Sequence, residues 1–212
     1  MVARPMDRQQ LEAMEVVLPF AHGGTRSPMV TRVRSTLITA SLLLIREYAW
    51  ETRYYASLPA HRHDEIRSLV AGTWVSLALA VDHYTAMDGL GLTTAEIEKI
   101  GEDVGRRTQQ SFLATLARAS TSFGATPWVI LNKSRAIWTR IFDGGDVVLY
   151  KGGPKDAYHE LVQLPLFRIG YFRRAVATYW RAMAQVMAST VYVKDVAQLG
   201  TGTSVVLGTS WA

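Results

Sequence analysis

His61, His63, Asp64 and Glu65 crowd metal-ligating side chains into one short segment. Imidazole and carboxylate are the nitrogen and oxygen ligands that zinc accepts. Convergence on one ion would need an extended backbone there, whereas the segment reads as the start of a helix. Asp64 and Glu65 then have a plain role opposite the helix dipole, so no metal site is assigned. His83 stands beside Tyr84 in an apolar helix. As a haem ligand it would need a pocket and a free ring nitrogen; the polar edge of a helix is the commoner place for a histidine. His159-Glu160 has the makings of an acid–base pair, and a solvated pair is the preferred reading.

No serine has the Gly-x-Ser-x-Gly setting of an activated nucleophile. No glycine-rich phosphate loop is present either. Gly200-Thr201-Gly202 is not followed by a helix and reads as a hairpin loop. No catalytic residue is assigned, and an enzyme ranks third among the functional readings. The chain has no cysteine. Disulfides, thiolate metal sites, iron–sulfur clusters and a cysteine nucleophile are therefore excluded.

Two arginine doublets, Arg106-Arg107 and Arg173-Arg174, lie on long helices, with Arg32 and Arg34 near the first helix. Convergence would make an anion-attracting face. No nucleic-acid docking motif accompanies them, so a solvated face is preferred. Trp74, Trp128, Trp138, Tyr179, Trp180, Met183 and Met187 are abundant for one domain. Core packing is their ordinary use. The functional alternative is a mostly apolar small-molecule pocket, with Tyr171, Tyr179 and Thr178 as its orienting polar groups.

Residues 1–29 read as an arm, either docked or mobile, with a short strand at Val16, Val17 and Leu18. Helices are expected over residues 31–54, 63–70 and 73–88. The next helix has the clearest start. Thr93 and Glu96 form a capping-box pair, and Ile97, Ile100, Val104, Thr108, Phe112, Leu116 and Ala119 mark one face. Gly101 and Gly105 each cost that helix about 1 kcal/mol relative to Ala, and close approach of another backbone is the return. After Pro127 a helical turn carries Trp128 to Leu131. Residues 137–142 and 147–150 then read as strands about an Asp143-Gly144-Gly145-Asp146 hairpin turn. A long helix over 166–188 and strands over 190–196 and 203–211 complete the chain.

These elements need 212 residues, of which 49% are apolar and only 19% charged. One core with a tail is the default for that length. The charged share falls below the usual ~25%, so much of the chain is buried or some apolar surface serves a partner. A net charge of +5 names no partner. Neither apolar run, 42–45 or 69–81, reaches the ~20 residues that span a bilayer. The opening Arg4, Asp7, Arg8, Gln9 and Gln10 are not an apolar signal core, so a cytoplasmic location is expected.

The segments Pro127-Trp128-Val129-Ile130-Leu131, Ala136-Ile137-Trp138 and Phe142-Asp143-Gly144-Gly145 resemble those of a paralogous family of myxobacterial proteins of unknown function. Leu58-Pro59, Gly170 near a helix start and a final strand ending at Trp211 fit the same pattern, which covers residues 30–211. That family in turn resembles vinyl-reductase-type domains, vesicle-tethering (TRAPP) subunits and haem-based nitric-oxide sensors. The resemblance implies a small-molecule-binding module. Haem sensors of that group carry a Tyr-x-Ser-x-Arg signature after the proximal histidine. Here Tyr55-Ala56-Ser57 is followed by Leu58 and Pro59, and it precedes His83. Vinyl-reductase-type domains carry cysteines where this chain has Gly200-Thr201-Gly202-Thr203. Haem and metal roles are not carried over, and no cofactor is expected.

The expectation is an α+β chain: an arm over 1–29 and a single domain over 30–212, with a helical half (30–135) and a β-β-α-β-β half (136–212). The antiparallel sheet packs on the long helix. The leading function is a non-catalytic sensor or regulatory module binding a small apolar ligand between helix and sheet, through Trp138, Tyr171, Tyr179, Trp180 and Met183. The alternative is a homo-oligomeric scaffold, a homodimer paired through Gly101, Gly105, Arg106 and Arg107. No specific nucleic acid and no membrane span are expected.

Overall fold

A computed structural model describes residues 6–119 and 126–212, with the side chains of Thr25 and of 110–119 outside that description. Arg4, and the expected face residues Phe112, Leu116 and Ala119, are among what is not described. The elements in order are α1 (Arg8–Glu12), β1 (Glu15–Leu18), β2 (Arg32–Arg34), α2 (Ser35–Glu47), α3 (Glu51–Ser57), α4 (His63–Arg67), β3 (Trp74–Ser76) and α5 (Leu77–Asp88). There follow α6 (Thr94–Ala119), α7 (Trp128–Leu131), α8 (Ser134–Ile141), β4 (Phe142–Asp143), β5 (Asp146–Gly153), β6 (Asp156–Val162), α9 (Gly170–Ala184), β7 (Val191–Asp195) and β8 (Val205–Trp211). The chain is α+β, as its pattern predicts.

The principal sheet has five antiparallel strands in the order β1-β5-β6-β8-β7. It is one strand wider than expected, because β1 of the arm docks along β5, with Glu15 opposite Lys151. Both hairpins, β5–β6 and β7–β8, lie in this sheet, and α9 packs on it against β7 and β8. A three-stranded sheet, β3-β2-β4, ties the helical part together.

The expected strand over 137–142 is a helix. Ser134, Ile137, Trp138 and Ile141 are all buried, and their spacing of three, four and seven is one helical face. Their β-branched and aromatic types suggested a strand, but the period decides. The Asp143–Asp146 turn consequently joins two sheets rather than two strands of a hairpin. Its upstream end, β4, pairs with β2, and its downstream end enters β5. Gly144 and Gly145 have φ of 105° and 67°, a region that glycine enters without a Cβ penalty. The hairpin partner of β5 is β6, through a turn at Pro154 and Lys155.

The helix expected over 31–54 is interrupted twice. Arg32–Arg34 is a strand, and Ala49, with φ 57°, separates α2 from α3. Residues 74–76 likewise form a strand before α5, whose Ser76 side chain accepts from Leu79 N at 3.2 Å. The capping box at α6 is formed: Glu96 Oε2 accepts from Thr93 N at 2.7 Å, and Thr93 Oγ1 from Glu96 N at 3.3 Å. Helix α9 starts at Gly170, four residues later than expected, after a 3-10 turn over Pro165–Arg168. Among the described residues no helix is long and apolar enough to cross a membrane.

Candidate ligand cavity

Helices α6 and α9 make the most extensive helix–helix contact among the described residues, and the two glycines of α6 allow their close approach. A Cβ at Gly101 would collide with Thr178 Oγ1 and the Ala175 carbonyl oxygen, and one at Gly105 would lie 2.7 Å from the Ala182 Cβ. The close approach expected of Gly101 and Gly105 is thus made inside the chain. Beside this contact α2, α5 and α8 close around a cavity of about 50 Å³. Trp138 from α8 and Tyr171, Tyr179 and Trp180 from α9 line it together, as do Tyr84 and Phe172. Met183 is fully buried in the same core but does not line the cavity. Thr178 is spent on the Ala175 carbonyl, 3.0 Å away.

The wall is made of aromatic and aliphatic carbon, with four hydroxyls. No described residue lining it carries a charge. Ser41 is the serine of the wall, and its hydroxyl belongs to a buried chain of hydrogen bonds. His83 Nε2 lies 2.8 Å from Ser41 Oγ, and His83 Nδ1 lies 2.8 Å from the Tyr54 hydroxyl. Ser41 Oγ also reaches the Ile38 carbonyl at 2.8 Å. One proton arrangement satisfies every group: Tyr54 donates to Nδ1, Nε2–H donates to Ser41, and Ser41 donates to Ile38 O. The serine therefore gives its proton to the backbone rather than to the imidazole. A base that does not accept the serine proton does not activate it. Burial pushes the His83 pKa down to about 3, so the ring stays neutral.

The tyrosine hydroxyls of the wall are less well served. Tyr84 and Tyr171 stack with centroids 6.3 Å apart, and neither hydroxyl hydrogen-bonds a described residue. The Tyr179 hydroxyl is buried without a hydrogen bond of normal geometry among the described residues, although Thr108 stands beside it. Burial raises the pKa of all three, and nearby phenols add to it for Tyr84 and Tyr171. They remain donors throughout the ordinary pH range. Just outside the cavity His159 stacks on Trp180, centroids 5.2 Å apart at 22°. Neither of its ring nitrogens has a partner among the described residues, and burial lowers its pKa to about 4.

The remaining chemical candidates are dispersed. His63 Nε2 contacts the Leu58 carbonyl at 3.1 Å, and Asp64 and Glu65 face Arg67 and Arg62. No group of three or more metal-ligating side chains forms among the described residues. Arg106 pairs with Glu102 and Asp103, Arg107 with Glu47 at 2.6 Å, and Arg173 with Asp195 at 2.6 Å. Arg174 bonds the Thr94 hydroxyl at 3.0 Å. The doublets are spread over separate partners. The pair His159-Glu160 is split by the strand: one side chain enters the helix side, the other the arm side.

Sequence reading missed Tyr84, Phe172 and the Tyr54–His83–Ser41 chain. Tyr84 was visible as an aromatic next to a histidine in an apolar helix, and Phe172 as part of the α9 stripe. Nothing local joins residues 41, 54 and 83, because three helices bring them together.

No protein-family model and no curated protein matches the chain. Solved structures do. A structure on the function of haem distortion in the H-NOX family is 10% identical, covers 84% of this chain and 94% of its own, with a TM-score of 0.57. A Cs H-NOX mutant bearing 4-cyano-L-phenylalanine at site 5 is also 10% identical and scores 0.57 over 84% of this chain and 96% of its own. A structure on modulating haem redox potential through protein-induced porphyrin distortion scores 0.53 at 10% identity, over 84% of this chain and 99% of its own. The chain therefore shares the fold of these H-NOX structures.

Proposed function

We propose that this protein is a non-catalytic sensor or regulatory module that binds a small apolar molecule in the cavity between α6, α8 and α9, and not, as expected from the sequence, between α9 and the five-stranded sheet, which lends the cavity no residue. The observation that carries this reading is the cavity itself. It is lined almost wholly by carbon with few polar groups, the usual character of a small-molecule site, and it lies in a fold shared with H-NOX structures whose descriptions mention haem. Trp138, Tyr171, Tyr179 and Trp180 would contact the ligand, with Met183 supporting them from behind.

Haem, which the solved neighbours' descriptions mention, does not fit the side chains present. None of the five histidines lines the cavity. His83 has both ring nitrogens engaged by Ser41 and Tyr54, whereas an axial ligand needs one nitrogen free for iron. The volume of about 50 Å³ holds a few water-sized groups, not a porphyrin.

Native mass spectrometry of the full chain from its producing cells, followed by solvent extraction, tests the reading. A released apolar compound is the expected result. A bare mass, together with no NMR shift of the cavity tyrosines under xenon or dissolved small hydrocarbons, would overturn it. The homodimer alternative rests on the exposed Arg106 and Arg107, since α9 already covers Gly101 and Gly105.

A further inference from the structure

We infer that the cavity selects an uncharged molecule, mostly hydrocarbon, that carries one carbonyl or comparable hydrogen-bond acceptor, and that Tyr84 and Tyr171 donate to it. The inference rests on the reading that the cavity binds a ligand, and it specifies that ligand's chemistry.

Tyr84 and Tyr171 come from different helices, α5 and α9, yet both line the cavity with nearly parallel rings, 24° apart. Each ring is at least nine-tenths buried, at 5% and 2% exposure. Hydroxyls of such deeply set residues ordinarily have a hydrogen-bond partner. Here neither hydroxyl bonds a described residue, and neither oxygen is among the fully enclosed unpartnered atoms, so each stays open to a small molecule. Their proximity also shows electrostatically: after burial, the nearby Tyr84 is what raises the Tyr171 phenol further.

The missing complement is an acceptor. A phenol buried this way keeps its proton, so it offers donation above all. A pure hydrocarbon would leave both donors stranded. An ionised ligand is disfavoured for the opposite reason: no described charged residue lines the cavity, and His83 stays neutral because burial lowers its pKa to about 3. A buried charge with no counter-charge costs far more than an unmade neutral hydrogen bond. A polyol would bring donors that the aliphatic wall cannot receive. A single neutral acceptor on a compact apolar frame is what remains, and the cavity of about 50 Å³ limits that frame to a few carbon atoms.

Three probes of nearly equal shape separate the possibilities: acetone, isobutene and acetate, titrated into the full chain at pH 7 and followed by NMR. Acetone is expected to bind about tenfold more tightly than isobutene, with no detectable binding of acetate. Tyr84→Phe and Tyr171→Phe should each erase most of that preference while isobutene still binds, which also shows that the variants fold. Equal binding of the two neutral probes, or preference for acetate, would overturn the acceptor inference and leave the apolar-ligand reading standing. Binding of neither neutral probe to the intact chain would overturn that reading as well.

Discussion

The two faces of the five-stranded sheet handle buried polarity in opposite ways, and neighbouring residues of β6 display the difference. His159 and Glu160 point to opposite sides, as consecutive strand residues must. On the α9 side His159 stacks on Trp180 with both nitrogens unpartnered among the described residues. On the arm side Glu160 accepts from Arg8 at 2.8 Å and from the Tyr150 hydroxyl at 3.2 Å. Burial, with Glu160 beside it, pushes the Tyr150 phenol up to about 12. Asp146, at the start of β5, is better served still. It receives Ala21 N at 2.7 Å, His22 N at 3.2 Å, Ser27 Oγ at 3.2 Å and Arg135 Nε at 3.3 Å. The arm side is a closed set of hydrogen bonds that fixes one arrangement. The α9 side keeps donors in reserve beside an apolar cavity. Saturated polarity positions a structure, and unsaturated polarity beside space is where a ligand gains something by binding.

The largest expected effect tests the saturated side. Asp146→Ala removes the carboxylate that pairs with Arg135 and the acceptor of four other donors, Ala21 N, His22 N, Ser27 Oγ and Val147 N, a loss on the scale of a broken buried ion pair, about 3–5 kcal/mol. Urea unfolding should show it, and trypsin should cut faster at Arg26. An arm that stays as protected as in the parent would break the comparison. Next comes the α6–α9 contact. Gly101→Ala adds a methyl against Thr178 and Ala175, and overpacking of that kind costs about 1–3 kcal/mol. The gain in helix propensity, ~1 kcal/mol, offsets only part of it. A variant as stable as the parent would mean that the two helices have slack.

The smallest effect concerns His159 and sharpens the comparison most. With folded pKa values lowered to about 4 for His159 and about 3 for His83, the unfolded chain binds protons that the folded chain refuses. Stability is therefore complete above the unfolded value near 6.5. It falls as pH drops toward 4, by up to about 1.4 kcal/mol per pH unit for each ring. His159→Leu should gain about 1 kcal/mol at pH 7 by removing an unpaired polar group. It should also take away one ring's share of the pH slope. Urea midpoints at pH 7 and pH 5 decide; an unchanged slope would mean that His159 finds a partner in solution.

How far the sequence carried depended on whether a signal was local. Thr93 with Glu96 and the β7–β8 hairpin were legible, since each depends on residues close in sequence. The aromatics of α9 were legible as a stripe, and the structure brings Tyr171, Tyr179 and Trp180 to one cavity. The helix over Ser134–Ile141 was misread because residue type outweighed spacing: Ile137, Trp138 and Ile141 favour strands by type and a helix by period. The breaks at Arg32–Arg34 and Trp74–Ser76 were invisible locally. Those strands exist because they pair with each other, Val33 opposite Val75. The buried Tyr54–His83–Ser41 chain was beyond reach for the same reason.

The docking of β1 on β5 also constrains how the molecule is made. Synthesis delivers the first strand early and its mate late, since Glu15 meets Lys151. During that interval Leu11 lacks Val148, Tyr150 and Val206, the strand residues that bury it in the finished protein. Pairings so distant along the chain are slow to close, and an unpaired strand is an invitation to the wrong neighbour. Between the synthesis of Glu15 and that of Lys151 the nascent polypeptide therefore carries β1 without its mate.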